Sequence, residues 1–231
     1  MTTHPGAKPF FRRVLRWIFW SGAVVACLVL GLVALWAFRP PVSNLMAARY
    51  IAGQPVERVW TPLNRLSPHL LAAVIASEDS RFCSHHGVDF GALREVVRRA
   101  GAEGPARGAS TIAMQTAKNL FLWPGRSALR KGLEIPLALT IDALWGKKRV
   151  LEVYLNVAEW GDGIFGAEAA ARRYFSKSAA NLTQREAALL GSALPNPFRR
   201  SPAQPGAIQT RIVGIILRRS AQPGAWFDCM R

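Results

Sequence analysis

Cysteine is nearly absent. Three occur in 231 residues, at positions 27, 83 and 229, too few and too scattered to write a metal cluster or a disulfide framework. One bridge between Cys83 and Cys229 stays open for an oxidising compartment. Histidine is almost as rare, and the adjacent pair His85 and His86 points to different sides of whatever element holds it. No ligand-spaced partner follows, which argues against a zinc site. Strand-like alternation, internal repeats and low-complexity tracts are also missing, so the fold class is all-α, with helices joined by glycine and proline punctuation. Acids are in deficit: 14 Asp and Glu stand against 30 Lys and Arg, for a formal net charge of +16. Such a surplus favours an anionic partner, a phosphate, a lipid head group or a nucleic acid, over a merely solubilising surface.

Charge of either sign is missing from Trp17 to Phe38, "WIFWSGAVVACLVLGLVALWAF". At 1.5 Å per residue this run reaches about 33 Å, enough to cross a bilayer core. Lys8, Arg12, Arg13 and Arg16 precede it and only Arg39 follows closely, which holds the N-terminus in the cytoplasm and exports everything after residue 40. Residues 1–16 are then a basic cytoplasmic tail, 17–38 an uncleaved signal anchor and 39–54 a membrane-proximal linker. A cleaved signal peptide is the competing reading, but its apolar core would be only about 7 to 15 residues long. Five of the basic residues lie at or before Arg39 and all the acids after it, leaving the exported part at +11. Export argues against nucleic acid. About 190 residues remain, room for one domain with a real core.

Within that domain the stretch "LLAAVIASEDSRFCSHHG", Leu70 to Gly87, sets two adjacent acids at the end of an apolar run. Ser67 as cap and Pro68 at the first helical position start a helix that runs on toward Phe82. Leu71, Val74, Ile75, Glu78 and Phe82 share one face of a 3.6-residue period, so Glu78 lies on the stripe to be buried. Asp79, about 100° further round, reaches its edge. A carboxylate there needs a pairing arginine or a chemical purpose.

"GVDFGALREVVRRAG" gives a short helix carrying Arg94, and the glycine-rich "AEGPARGAS" breaks it. In "GASTIAMQTAKNLFLWPGRS" Ser110 and Thr111 cap a new helix, with Thr111, Gln115 and Lys118 on one polar face. A helix N-terminus, two hydroxyls and a lysine suit an anion. "SALRKGLEIPLALTIDALW" places Arg130, Lys131 and Glu134 within one turn, and Pro136 predicts a kink near Glu134. Glu152, Tyr154 and Asn156 fit either packing partners or a cleft lining, with packing favoured. Thr183 and Glu186 fit a capping box.

The ordered set "EDSRFCSHHG", "GASTIAMQTAKNL", "RKGLE", "KKRVLEVYLN" and "GIFGAEAAARRYF" with "REAALLGSALPNP" resembles the peptidoglycan glycosyltransferases, glycosyltransferase family 51, and most closely its monofunctional biosynthetic members. The likeness covers about residues 55–202, leaving 203–231 as a C-terminal helix and tail. It implies a lysozyme-like helical domain that polymerises lipid II, with the growing strand as donor and a new lipid II as acceptor. It puts the general base at Glu78, with Asp79 beside it and His85 and Gly87 completing the motif. It assigns donor phosphate and sugar contacts to Ser110, Gln115, Lys118 and Arg126, with Arg94 a further contact. Glu134, among Arg130 and Lys131, takes the second glutamate's role of supporting departure of the diphosphate, directly or through a divalent ion, Mg2+ or Mn2+. Its surroundings would be the inner membrane, with the catalytic domain periplasmic and cell-division or cell-wall synthase proteins as candidate partners.

One departure stands out: where the family has "STITQQ" or "STISQQ", this chain has Ala113 and Met114 before Gln115. On sequence alone that removes hydrogen-bonding capacity from the donor-side helix. Two alternatives stay open. One is a lysozyme-like hydrolase, which has no use for cations around its acids. The other is a catalytically weak partner of cell-wall synthases, for which this departure is the only support. A bifunctional penicillin-binding protein would need an "SxxK" nucleophile and a further domain, and neither is present.

Overall fold

The computed structural model describes residues 7–103, 108–125, 127–221 and 224–230. Two compact units divide the chain, Met1–Arg39 and Pro40–Arg231. The first is one helix, α1 (Ala7–Trp36), apolar enough to cross a membrane from Phe10 to Trp36. It takes Arg12, Arg13 and Arg16 into its first turns. Its Trp17, Phe19, Trp20, Val24, Val25 and Leu28 are exposed, the surface a lipid-facing helix presents.

The second unit holds α2 (Asn44–Ile51), α3 (Pro68–Glu78), α4 (Phe90–Glu103), α5 (Ile112–Phe121), α6 (Ala128–Val157), α7 (Ala167–Phe175), α8 (Gln184–Ala193) and α9 (Ala207–Ser220). Among the described residues, strand is confined to three short pieces, β1 (Glu57–Arg58), β2 (Glu159–Gly161) and β3 (Ile164–Phe165), in the order β1-β3-β2. The all-α, lysozyme-like class expected from the sequence holds.

At the centre lies α3. Leu70 and Ala72 through Ala76 are all buried, so this helix is covered on every side rather than along one stripe. It packs on α8 and α9. Gly191 of α8 lets the two backbones approach, since a Cβ there would stand 3.1 Å from the Ala73 carbonyl oxygen, and Ser77 Oγ donates to the Gly191 carbonyl at 2.9 Å. The start of α3 differs from the sequence reading: Ser67 Oγ donates to the Leu182 carbonyl at 3.1 Å and caps nothing. Its end differs too, because α3 stops at Glu78, and Phe82–Ser84 form a separate 3-10 turn.

In α6, Pro136 sits within the helix, and the only break in helical backbone angles comes later, at Gly146 (φ 67°, ψ 169°). A glycine adopts that positive φ without steric cost, whereas Pro136 keeps the φ a helix already requires. The Thr183 and Glu186 capping box forms as expected. Asn156 and Glu152 act in packing: Asn156 pairs with both backbone groups of Thr61, and Glu152 accepts from the Leu63 amide at 2.8 Å. Cys83 and Cys229 form a disulfide that ties the 3-10 segment Ala225–Met230 to the turn after α3.

Candidate active site

The loop after α3 is fixed by Asp79. This residue leaves helical geometry (φ −157°, ψ 71°), and its buried carboxylate accepts from the Ile112 amide at 3.0 Å and faces His85 Nε2 at 2.9 Å. Ile112 is the first residue of α5, so Asp79 satisfies one of the amides that a helix start leaves free. Thr111 serves another, accepting from the Met114 amide at 3.1 Å, and its hydroxyl donates to the Gly87 carbonyl. Gly87, at φ +80°, presses on α6: a Cβ there would sit 2.5 Å from the Ala138 carbonyl oxygen. Ala138 is one turn beyond Glu134. Lys147 lies over the Phe82 ring at 4.9 Å and pairs with Asp142 at 2.7 Å. The ends of α3, α5 and α6 are therefore held in one frame.

That frame opens a cleft of about 300 Å3 lined by Glu78, Ser110, Gln115, Lys118, Arg130, Lys131 and Glu134, together with Gly108 and Pro195. Glu78 is half-buried. Its Oε2 accepts from Gln115 Nε2 at 2.8 Å, and its Oε1 has no hydrogen-bond partner among the described residues. Burial pushes the Glu78 carboxyl above its ordinary value, against the Gln115 bond, the charge of Lys118, the neighbouring Ser77 hydroxyl and the charge of Arg200, which pull it down. Glu134, 2% exposed, is paired with Arg130 and with Lys131 at 2.8 Å. Lys131 also donates to Ser110 Oγ at 2.7 Å. Burial lowers the Lys118 ammonium below its ordinary value, with Arg130 and Lys131 adding to that and Glu134 and Glu78 opposing it. A second opening of about 400 Å3 shares Lys118 and Arg130 and is walled by Asn44, Leu45, Leu122 and Trp123. A third, of about 240 Å3, shares Glu78 and adds Arg81, Asp89 and Arg219.

Of the residues singled out from sequence, Glu78, Ser110, Gln115, Lys118, Arg130, Lys131 and Glu134 come together. Asp79 lies behind them as a buried clamp that also lines the third opening. Arg94 is exposed on α4, outside this cleft, and Arg126 lies outside the described residues. Ala113 and Met114 are fully buried. The departure at these positions thus faces the core, because consecutive helical residues turn by about 100° and only Gln115 and Lys118 face the cleft. Tyr154 reaches the site by donating to Gln115 Oε1 at 3.2 Å. Sequence reasoning passed over Arg200, whose only signal was its place just after "LPNPF".

As a protein-held metal site the donors do not fit: both oxygens of Glu134 are taken by cations, and the described residues include no group of three His, Cys, Asp or Glu side chains able to hold an ion. What the geometry sets out is a cleft in which a half-buried carboxylate with one unpartnered oxygen stands beside a second, ion-paired carboxylate, two lysines and an arginine, a combination suited to an enzyme acting on an anionic group. Residues 44–220 match the family model described as Transglycosylase, and the chain belongs to that family. It is 57% identical over 205 residues to a biosynthetic peptidoglycan transglycosylase of Rhodospirillum centenum, covering 86% of this chain and 88% of the relative. Proteins of the same description from Brucella suis (51% over 210 residues, 90% and 94% covered) and Agrobacterium fabrum (48% over 222 residues, 95% and 98% covered) are similar along nearly their full lengths.

Proposed function

We propose that this transglycosylase is a peptidoglycan glycosyltransferase that polymerises lipid II, with Glu78 as its general base. The observation that carries the reading is the half-buried Glu78 carboxylate, one oxygen of which has no hydrogen-bond partner among the described residues, in the cleft it shares with Lys118, Arg130, Lys131 and Glu134. The acceptor sugar's 4-hydroxyl gives its proton to Glu78. Its oxygen bonds to the donor's anomeric carbon from the face opposite the diphosphate, the carbon–oxygen bond to that diphosphate breaks, and the α-linked donor becomes a β-linked product. The electron pair leaves on the lipid diphosphate, where Lys118, Arg130 and Lys131 meet the growing negative charge. Glu134 supports the departure by holding Arg130 and Lys131 in place. Raising the Glu78 carboxyl by burial makes it a stronger base once ionised.

Lipid linkage is favoured by the opening at Lys118 and Arg130, whose Leu45, Leu122 and Trp123 walls offer apolar surface beside cations. A membrane anchor at α1 keeps the enzyme in the bilayer that confines such a substrate. We assign the inner membrane, with the N-terminus cytoplasmic, from Lys8, Arg12, Arg13 and Arg16 at the start of α1, ahead of its uncharged run. The Cys83–Cys229 bridge agrees with an oxidising side for the domain. A hydrolase of neutral glycan gives no reason for three cations, Lys118, Arg130 and Lys131, around the acids. The weak-partner reading loses its support, since Ala113 and Met114 do not face the cleft.

The test is incubation of the detergent-solubilised protein with labelled lipid II, with and without a divalent metal. Polymer is expected from the wild type, and Glu134→Gln should lower turnover about 100-fold or more, the scale seen when a developing charge loses its stabilising groups. Free disaccharide from preformed strands with no polymer would instead mark a hydrolase.

A further inference from the structure

Gln115 is held at both ends. Its Nε2 donates to Glu78 Oε2 at 2.8 Å, and its Oε1 accepts from the Tyr154 hydroxyl at 3.2 Å. Tyr154 belongs to α6 and is 1% exposed. Burial pushes its phenol well above the ordinary value, and the charges of Glu78 and Asp79 push it the same way, so it remains a hydroxyl throughout the working range. A primary amide has one donating and one accepting edge, and which edge faces a carboxylate must be set by its other partners. Here the donating edge faces Glu78. Oε2 thereby accepts one bond, while the buried Oε1 has no hydrogen-bond partner among the described residues. Deprived of the Tyr154 hydroxyl, the amide oxygen of Gln115 would lose that partner, and the amide could turn or swing out into the cleft.

We propose that Tyr154 is a positioning residue for the general base: through Gln115 it fixes the orientation of the Glu78 carboxylate and keeps its ionised form hydrogen-bonded. This rests on Glu78 being the base. The other charged groups around Glu78 are Lys118 on α5, Arg200 after α8, Asp79 at the end of α3, and Arg81, Asp89 and Arg219 along the third opening. Arg130, Lys131 and Glu134 line the cleft itself. Tyr154→Phe leaves every one of these charges in place, so a change in titration reports the lost hydrogen-bond chain.

The sign follows from the donor. Removing a hydrogen bond to the charged form raises a carboxyl further, so the acid limb of the kcat/KM profile on lipid II should move up by about one pH unit in full-length Tyr154→Phe. Rates should be roughly tenfold lower on that limb and recover toward wild type above it, with KM little changed. Gln115→Met should move the limb the same way, and the double variant should move it no further than Gln115→Met alone. An unmoved limb in a folded Tyr154→Phe, or additive shifts in the double variant, overturns the proposal. Should Tyr154→Phe fail to fold, a wild-type limb in Gln115→Met overturns it equally. Glu78→Gln run alongside separates the two claims, since turnover retained in that variant removes the base itself, whereas its loss with unmoved limbs removes only the role of Tyr154.

Discussion

Glu78, Gln115, Lys118, Lys131 and Glu134 were legible in the sequence because each sits on a helix, where spacing dictates which residues share a face. Met114 shows the limit of that method. From the sequence it reads as a lost polar contact with the donor, yet it is fully buried, so restoring glutamine would put an amide into the core. Met114→Gln should lower stability by about 1–3 kcal/mol, the cost of an unpaired buried amide, without raising turnover. A thermal melt and a lipid II assay check this, and a gain in rate of about tenfold or more would contradict it. Asp79 was singled out beside Glu78, but its role as a clamp was not legible, because its partners Ile112 and His85 are set by tertiary contact, and no local spacing announces a bond across 33 residues.

At the scale of elements, starts and stops were less legible than the helices themselves. A serine before proline promised a cap on α3, but Ser67 turns to Leu182 instead. The expected continuation to Phe82 fails because the bonds of Asp79 pull the chain out of the helix after Glu78. Caps that are purely local behaved as written: Thr111 caps α5, and Thr183 and Glu186 form their capping box. Gly87 is where three elements meet, since its positive φ and its approach to Ala138 leave no space for a side chain. Gly87→Ala should therefore cost several kcal/mol, at the upper end for single substitutions, and separate Glu78 from Glu134. Circular dichroism melts with a parallel turnover assay test it, and a variant with wild-type melting and rate would show that α6 yields freely.

The whole molecule joins a membrane helix, a cationic cleft and a C-terminal tether. The disulfide was one open pairing in the sequence, and its closure depends on the tail reaching the turn after α3, which no pattern predicts. It closes a loop of 146 residues, and such cross-links contribute about 2–4 kcal/mol. Reductant should lower the melting temperature of the wild type and leave a Cys83→Ser, Cys229→Ser double variant unchanged; equal responses would argue that the bridge carries no stability. The central claim is that Glu78 takes the acceptor's proton. Its most direct measurement is polymer formation from labelled lipid II by wild type and a folded Glu78→Gln variant, with products separated by length. Polymer from the wild type and none from the variant is the predicted result. Polymer from both at comparable rates would contradict the assignment of the base and send the search to another group in the cleft.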